Sequence, residues 1–256
     1  MSKLLKIGVN AYINNLPLRC AFAKNILELD YETYLDYPAY LTKKCEEGFF
    51  DISSISFWAY ARLKENYKLL PNFCICANGE IKSVKILANC PLEDFAKKKI
   101  FITDQSGSSA RAFIYYCRQI LKFDPRKSRV DDMQNADVVF LIGDTALKCD
   151  ESKYKYYYDF GTLFKEAFNV PLVYGAIAVK REIYDEVSGS LIKFFNACLE
   201  DFKANENSYY EDCLKSISNK NLDVEFMRDY FSRMDYKISD EDFAKSLEFL
   251  NNYSDD

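Results

Sequence analysis

Short apolar runs, each ending in a polar corner and a helix start, recur along this chain and restrict the folds open to it. Leu4, Leu5, Ile7 and Val9 read as a buried strand that leads to Asn14-Asn15. Pro17 then sits at a helix start, with Leu18, Ala21, Phe22 and Ile26 at helical spacing. Tyr31 to Leu35 predicts a second strand, and Pro38 opens a helix that closes at Gly48. Asp51 to Ser56 runs from a third strand into another polar corner. Strands alternating with helices predict a parallel α/β sheet, whose ligands bind off the carboxyl ends of the strands. Phe73 to Ala77 and Ile81 to Ala88 are strand-like runs separated by the tight-turn signal Asn78-Gly79. Further strands are predicted at Ile100 to Thr103, Val138 to Ile142 and Pro171 to Val179, and everything from Glu182 onward reads as helix.

This order predicts two α/β lobes. The first comprises residues 1–88 and 174–256, including the C-terminal helices, and the second, 89–173, is inserted into it. The chain then crosses between lobes near Ala88 and near Tyr174, and the crossings act as hinges around a ligand cleft.

The chain has no histidine. That removes the commonest general base, any Ser-His or Cys-His nucleophile and the usual zinc sites. Proton transfer is left to carboxylates, Lys, Tyr, Cys, water or the substrate. A net charge of −5 disfavours general nucleic-acid binding, while an anionic small ligand requires only local positive or dipolar groups. No apolar run approaches the ~20 residues of a membrane span. The first strand begins directly after Met1-Ser2-Lys3, so a cytoplasmic protein is expected. The nine cysteines form no CxxC pair and are expected to be reduced, mostly buried thiols. No metal or organic cofactor is called for, and the sequence leaves the oligomeric state open.

Four corners follow predicted strands: Asn14, Ser53 to Ser56, Ser106 to Ser109, and Gly143-Asp144. Asn15 reads as a helix cap and Asn14 as functional. Ser106-Gly107-Ser108-Ser109 places small hydroxyl residues around a glycine at a helix N-terminus, where free N–H groups and the helix dipole suit a carboxylate or phosphate. Ser83 lies near the first crossing and can donate into the cleft, whereas Lys82 reads as a solvated strand residue or a counter-ion. Arg111, one turn into the helix after the serines, faces either an anion or solvent, and Tyr12 and Tyr174 are placed to line the cleft.

Six segments in register resemble the chorismate dehydratase family of the futalosine route to menaquinone. They are Tyr12-Ile13-Asn14-Asn15-Leu16-Pro17-Leu18, Gly48-Phe49-Phe50-Asp51-Ile52-Ser53, Gly79-Glu80-Ile81-Lys82-Ser83-Val84, Ser106-Gly107-Ser108-Ser109, Ile142-Gly143-Asp144-Thr145-Ala146-Leu147 and Tyr158-Asp159-Phe160-Gly161. Two positions depart from the family pattern: Asn15 stands where a Thr or similar small residue is expected, and Phe164 stands in place of tryptophan. The resemblance implies a type II periplasmic-binding-protein-like fold, two α/β lobes with C-terminal helices, used as a hydro-lyase. It implies elimination of water from chorismate, a dicarboxylate, to give 3-[(1-carboxyvinyl)oxy]benzoate. By similarity Asn14 and Ser83 are catalytic. The residues expected to contact substrate are Ser53, Ser56, Gly79, Lys82, Ser106, Gly107, Ser108, Ser109, Asp144 and Tyr174. The sister enzyme that makes 1,4-dihydroxy-6-naphthoate is the nearest alternative, but it is expected to use a histidine base. A non-catalytic cytoplasmic binding protein for small anions is an alternative of a different class.

Overall fold

The computed structural model describes residues 4–24, 27–104, 107–217 and 222–253. The first part of the chain supplies β1 (Leu5–Asn10), α1 (Leu16–Arg19), β2 (Tyr31–Asp36), α2 (Pro38–Glu46), β3 (Ile52–Ser56), α3 (Tyr60–Leu63) and β4 (Tyr67–Ala77). The middle part supplies β5 (Val84–Ala88), β6 (Ile100–Ile102), α4 (Gly107–Gln119), β7 (Arg129–Val130), β8 (Val138–Ile142), α5 (Gly143–Lys148), β9 (Tyr156–Asp159) and α6 (Phe160–Phe168). The last part is β10 (Leu172–Lys180), α7 (Tyr184–Ala204), α8 (Glu206–Ile217), α9 (Val224–Ser232), β11 (Asp235–Lys237) and α10 (Asp240–Tyr253).

Among the described residues, six strands form one sheet in the order β11-β4-β10-β3-β1-β2, and five form a second in the order β7-β6-β8-β5-β9. Within them β1 pairs in parallel with β2 and β3, and β6 with β7 and β8. The strands next to the crossings run the other way: β10 is antiparallel to β3 and β4, and β5 to β8 and β9. The all-parallel expectation therefore holds only away from the crossings, where a chain leaving one sheet for the other reverses its direction. β5 belongs to the second sheet, so the chain changes sheet between Ala77 and Val84 rather than near Ala88. Asn78-Gly79 is consequently no hairpin turn. The exclusively helical C-terminus is also corrected, since β11 adds an edge strand to β4.

The segment between Ala77 and Val84 is fixed from outside itself. The Asp159 carboxylate, at the end of β9, accepts the backbone N–H groups of Ile81 (3.1 Å) and Lys82 (2.7 Å). It also accepts Thr162 N–H (3.1 Å), which caps α6. Burial pushes this carboxyl's pKa up, and the donated N–H groups oppose that rise. Next to it Gly161 has no room for a side chain, because a Cβ would stand 2.1 Å from the Gly79 carbonyl oxygen. So held, Lys82 takes φ of 65°, and Ser83 N–H closes a three-residue turn onto Ile81 O at 2.8 Å. A side-chain-bearing residue in such a turn is strained and persists only where its surroundings determine it.

Both lobes are packed with aromatic rings. In the second, Phe113 stacks on Phe140 with centroids 4.5 Å apart, and Phe160 meets both edge-on. Phe249 of α10 packs against Trp58 at 6.3 Å, Tyr115 at 5.5 Å and Phe164 at 5.3 Å, so the last helix spans both lobes. Phe164, the departure noted in the sequence, is thus a core residue.

Asp159→Ala removes the acceptor of three backbone N–H groups and is expected to lower stability by about 3 kcal/mol. Asp159→Asn keeps one acceptor oxygen and should cost clearly less. Urea unfolding of the two variants beside the wild type measures both.

Candidate active site

The corners of the two lobes meet. The Tyr12 ring lies against Gly143, where a Cβ would stand 2.9 Å from Tyr12 Cε1 and where φ is +56°, so glycine is required on both counts. Ile13 N–H donates to Asp144 Oδ1 at 3.4 Å, and Gly143 N–H donates to Ser83 O at 2.7 Å. Ser56 at the end of β3 and Ser108 in the first turn of α4 share a hydrogen bond of 2.6 Å, and Trp58 N–H donates to Ser108 Oγ at 3.0 Å. Between these contacts lies a cavity of about 40 Å³. Its polar lining is Asn10, Tyr12, Asn14, Ser56, Ser109 and Tyr174, and Ile55, Ile75, Val84 and Ile142 supply apolar walls.

Polar satisfaction marks this spot. The buried side-chain atoms without a hydrogen-bond partner among the described residues are Asn14 Oδ1, Asn15 Oδ1, Ser83 Oγ and the Tyr174 hydroxyl. An unpartnered buried polar atom costs about 1–3 kcal/mol, so a group of them in one place points to a ligand or reaction. Asn14 and Tyr174 line the cavity, and Ser83 directly precedes the lining residue Val84. The Tyr230 hydroxyl feels Ser83 among its neighbours, but no bond of good geometry closes between them. Burial raises the pKa of the Tyr174 phenol well above its usual value, which keeps it a neutral donor. Burial also raises the Asp144 carboxyl, with Ile13 N–H, Lys148 and Arg19 opposing.

The remaining sequence-predicted residues take several positions. Ser53 is fully buried away from the cavity; its hydroxyl donates to Ser54 O at 3.1 Å and occupies the space left by Gly8. Lys82 contributes its strained backbone, while its ammonium pairs with Asp229 and lies 5.3 Å from the Phe226 ring centre. Gly79 belongs to the segment held by Asp159 and does not line the cavity. Gly107 faces an outer chamber, Ser108 joins the lobes and Ser109 lines the cavity, so the serine corner divides its roles. Ser106 lies outside the described residues. Asn10 was not singled out in the sequence; its Oδ1 accepts Tyr12 N–H at 2.9 Å and sets the corner. A polar residue closing an apolar strand was the available signal. All nine cysteines are free thiols, eight of them buried. Among the described residues no group of Cys, Asp and Glu is arranged to hold a metal ion.

Comparison with known proteins gives the fold a family. Protein AF1704 from Archaeoglobus fulgidus is similar to this chain with a TM-score of 0.77 at 16% identity, over 98% of this chain and 96% of that one. The Candida albicans CA3427 gene product, described as having the generic periplasmic binding protein fold, matches with a TM-score of 0.61 at 13% identity, over 99% and 90%. The periplasmic aliphatic sulphonate binding protein SsuA from Escherichia coli matches with a TM-score of 0.69 at 12% identity, over 100% and 93%. At such identities the likeness shows the fold alone, and it is the periplasmic-binding-protein-like α/β fold expected from the sequence. The sequence itself, over residues 5–255, matches the family described as menaquinone biosynthesis, and the chain belongs to that family.

Proposed function

We propose that this member of the menaquinone biosynthesis family is a chorismate dehydratase. The observation that carries the reading is the set of orphaned polar atoms where the lobes meet: Asn14 Oδ1 and the Tyr174 hydroxyl on residues that line the cavity, and Ser83 Oγ on the residue before the lining Val84. The reaction suits a chain without histidine. The ring C3–H bond breaks, its electron pair forms the new ring double bond, and the C4–O bond releases the hydroxyl, which leaves as water with the proton. Aromatisation drives the step, so the protein's share is orientation and stabilisation of developing charge.

In this reading Asn14 and Ser83 hold the reacting edge of the ring. The Tyr174 phenol donates a hydrogen bond to an oxygen as negative charge develops on it. No histidine is available to take the C3 proton, and the substrate's own enolpyruvyl carboxylate is placed by its chemistry to do so. The binding-competent form must be more open than the one described, because 40 Å³ is far below the roughly 300 Å³ at which ligand clefts begin. Separating Ser56 from Ser108 frees the Ser108 hydroxyl and the Trp58 N–H toward the cleft.

Incubation of the protein with chorismate should yield a product lighter by one water with a benzoate absorbance, followed by chromatography with mass detection. Chorismate bound but unchanged, or ignored, would sink the reading. Asn14→Ala and Ser83→Ala should each lower kcat by about 100-fold with little change in KM. Unaltered turnover in both would remove them from the mechanism.

Ser83→Ala and Tyr174→Phe also delete hydroxyls that have no partner. Each is expected to leave stability unchanged or raise it by about 1 kcal/mol while lowering turnover. Thermal melts beside initial rates test this pairing; a clear loss of stability would show that the hydroxyls serve the fold.

A further inference from the structure

A second chamber, of about 210 Å³, opens on the far side of Ser56, which lines both it and the inner cavity. α2 and the Phe57–Leu63 segment form its wall on one lobe, and the start of α4 forms the wall on the other. Its charged groups are not evenly matched. Glu46 is taken by Arg62, whose Nε and Nη2 donate at 2.9 and 2.8 Å, and Asp104 is taken by Arg129. Arg111 and Lys43 also line the chamber, and neither has a carboxylate or hydrogen-bond partner among the described residues. Lys43 is exposed, so water serves it; Arg111 is half-buried.

Arg111 is therefore costly as it stands. It is partly desolvated, and of the charges that act on it the repulsion from Arg62 outweighs the attraction of Glu46. An anion between the two guanidiniums would reverse that balance. Guanidinium binds carboxylate through two parallel hydrogen bonds, the strongest geometry available to a side chain. Ser56 lines both the chamber and the inner cavity and stands between them, so parting of the Ser56–Ser108 bond would join the two into one elongated space.

We propose that Arg111 is the docking residue for one carboxylate of a dicarboxylate ligand whose other end enters the inner cavity. The ligand lies across Ser56, with its apolar ring toward Ile55 and Ile75 and its outer carboxylate on Arg111. Arg62 adds attraction at the same end without giving up Glu46. This deepens the dehydratase reading and rests on it only for the identity of the dicarboxylate.

Two measurements on the intact protein test the inference, using Arg111→Gln, Arg111→Lys and, as a charge-matched control, Lys127→Gln on an exposed turn of the same lobe. In chorismate turnover, Arg111→Gln should raise KM at least about tenfold with kcat within about twofold. Arg111→Lys should recover part of the loss, and Lys127→Gln should match the wild type. Raising salt should weaken kcat/KM more in the wild type than in Arg111→Gln. Isothermal titration with isophthalate, a stable benzene-1,3-dicarboxylate, reads binding without chemistry. Wild-type binding that weakens at least tenfold in Arg111→Gln supports the inference, even if chorismate is not converted and the dehydratase reading falls. Equal isophthalate affinity in the two proteins, or no binding to the wild type, overturns it; so does an unchanged KM in an active Arg111→Gln enzyme.

Discussion

One buried carboxylate sets where everything else can be. Asp159 gathers the N–H groups of Ile81, Lys82 and Thr162, and so ties the strand leaving the first sheet to the strand and helix of the second. Those bonds flank the positive φ at Lys82, a strained angle that persists only where the surroundings determine it, and Ser83 follows directly after it. The arrangement costs stability twice, in desolvating a charge and in holding a strained residue. It yields a serine hydroxyl presented at a fixed point with no protein partner to satisfy it. That combination is typical of a site kept ready for something that is not part of the chain.

The contacts across the cleft are of a different kind. Tyr12 on Gly143, Ile13 on Asp144 and Ser56 on Ser108 are small, polar or glycine-dependent, whereas Phe249 packs among large rings of both lobes. Apolar ring contacts resist separation more than single hydrogen bonds that water can replace. The lobes are thus held firmly on the α10 side and lightly at the serine corner, so any parting of them would cost least at the latter.

Much of this was legible in the sequence. The strand-to-corner pattern located Asn14, Ser56 and Ser109, all of which line the cavity, because a polar residue that ends an apolar strand falls at a sheet edge. Register and pairing were not legible. Ile81 to Ala88 reads as the partner of Phe73 to Ala77 across Asn78-Gly79, yet Val84–Ala88 pairs with β8 and β9 in the other sheet, and the Asp159 bonds to Ile81 and Lys82 are long-range. Ser53 looked equivalent to Ser56, yet their neighbours differ: Ser53 meets Gly8 across the β1–β3 register, while Ser56 meets α4. The sequence shows the charge of Lys82 but not its backbone angle, which is positive. The short strand Tyr156–Asp159 carries no sequence signal, because consecutive half-exposed tyrosines show no period-two pattern.

The 2.6 Å bond between Ser56 and Ser108 has a thermodynamic corollary. On the proposed dehydratase reading, a cavity of 40 Å³ leaves no room for the substrate, so ligand would meet only the fraction of molecules whose lobes have parted. Observed affinity is then the intrinsic affinity scaled down by that population. A hydroxyl pair worth about 1 kcal/mol shifts the open fraction by several-fold, with no direct contact to ligand needed. On that reading the serine pair would act as a set-point for how much ligand must accumulate before the cleft is filled, independently of how well the filled cleft fits.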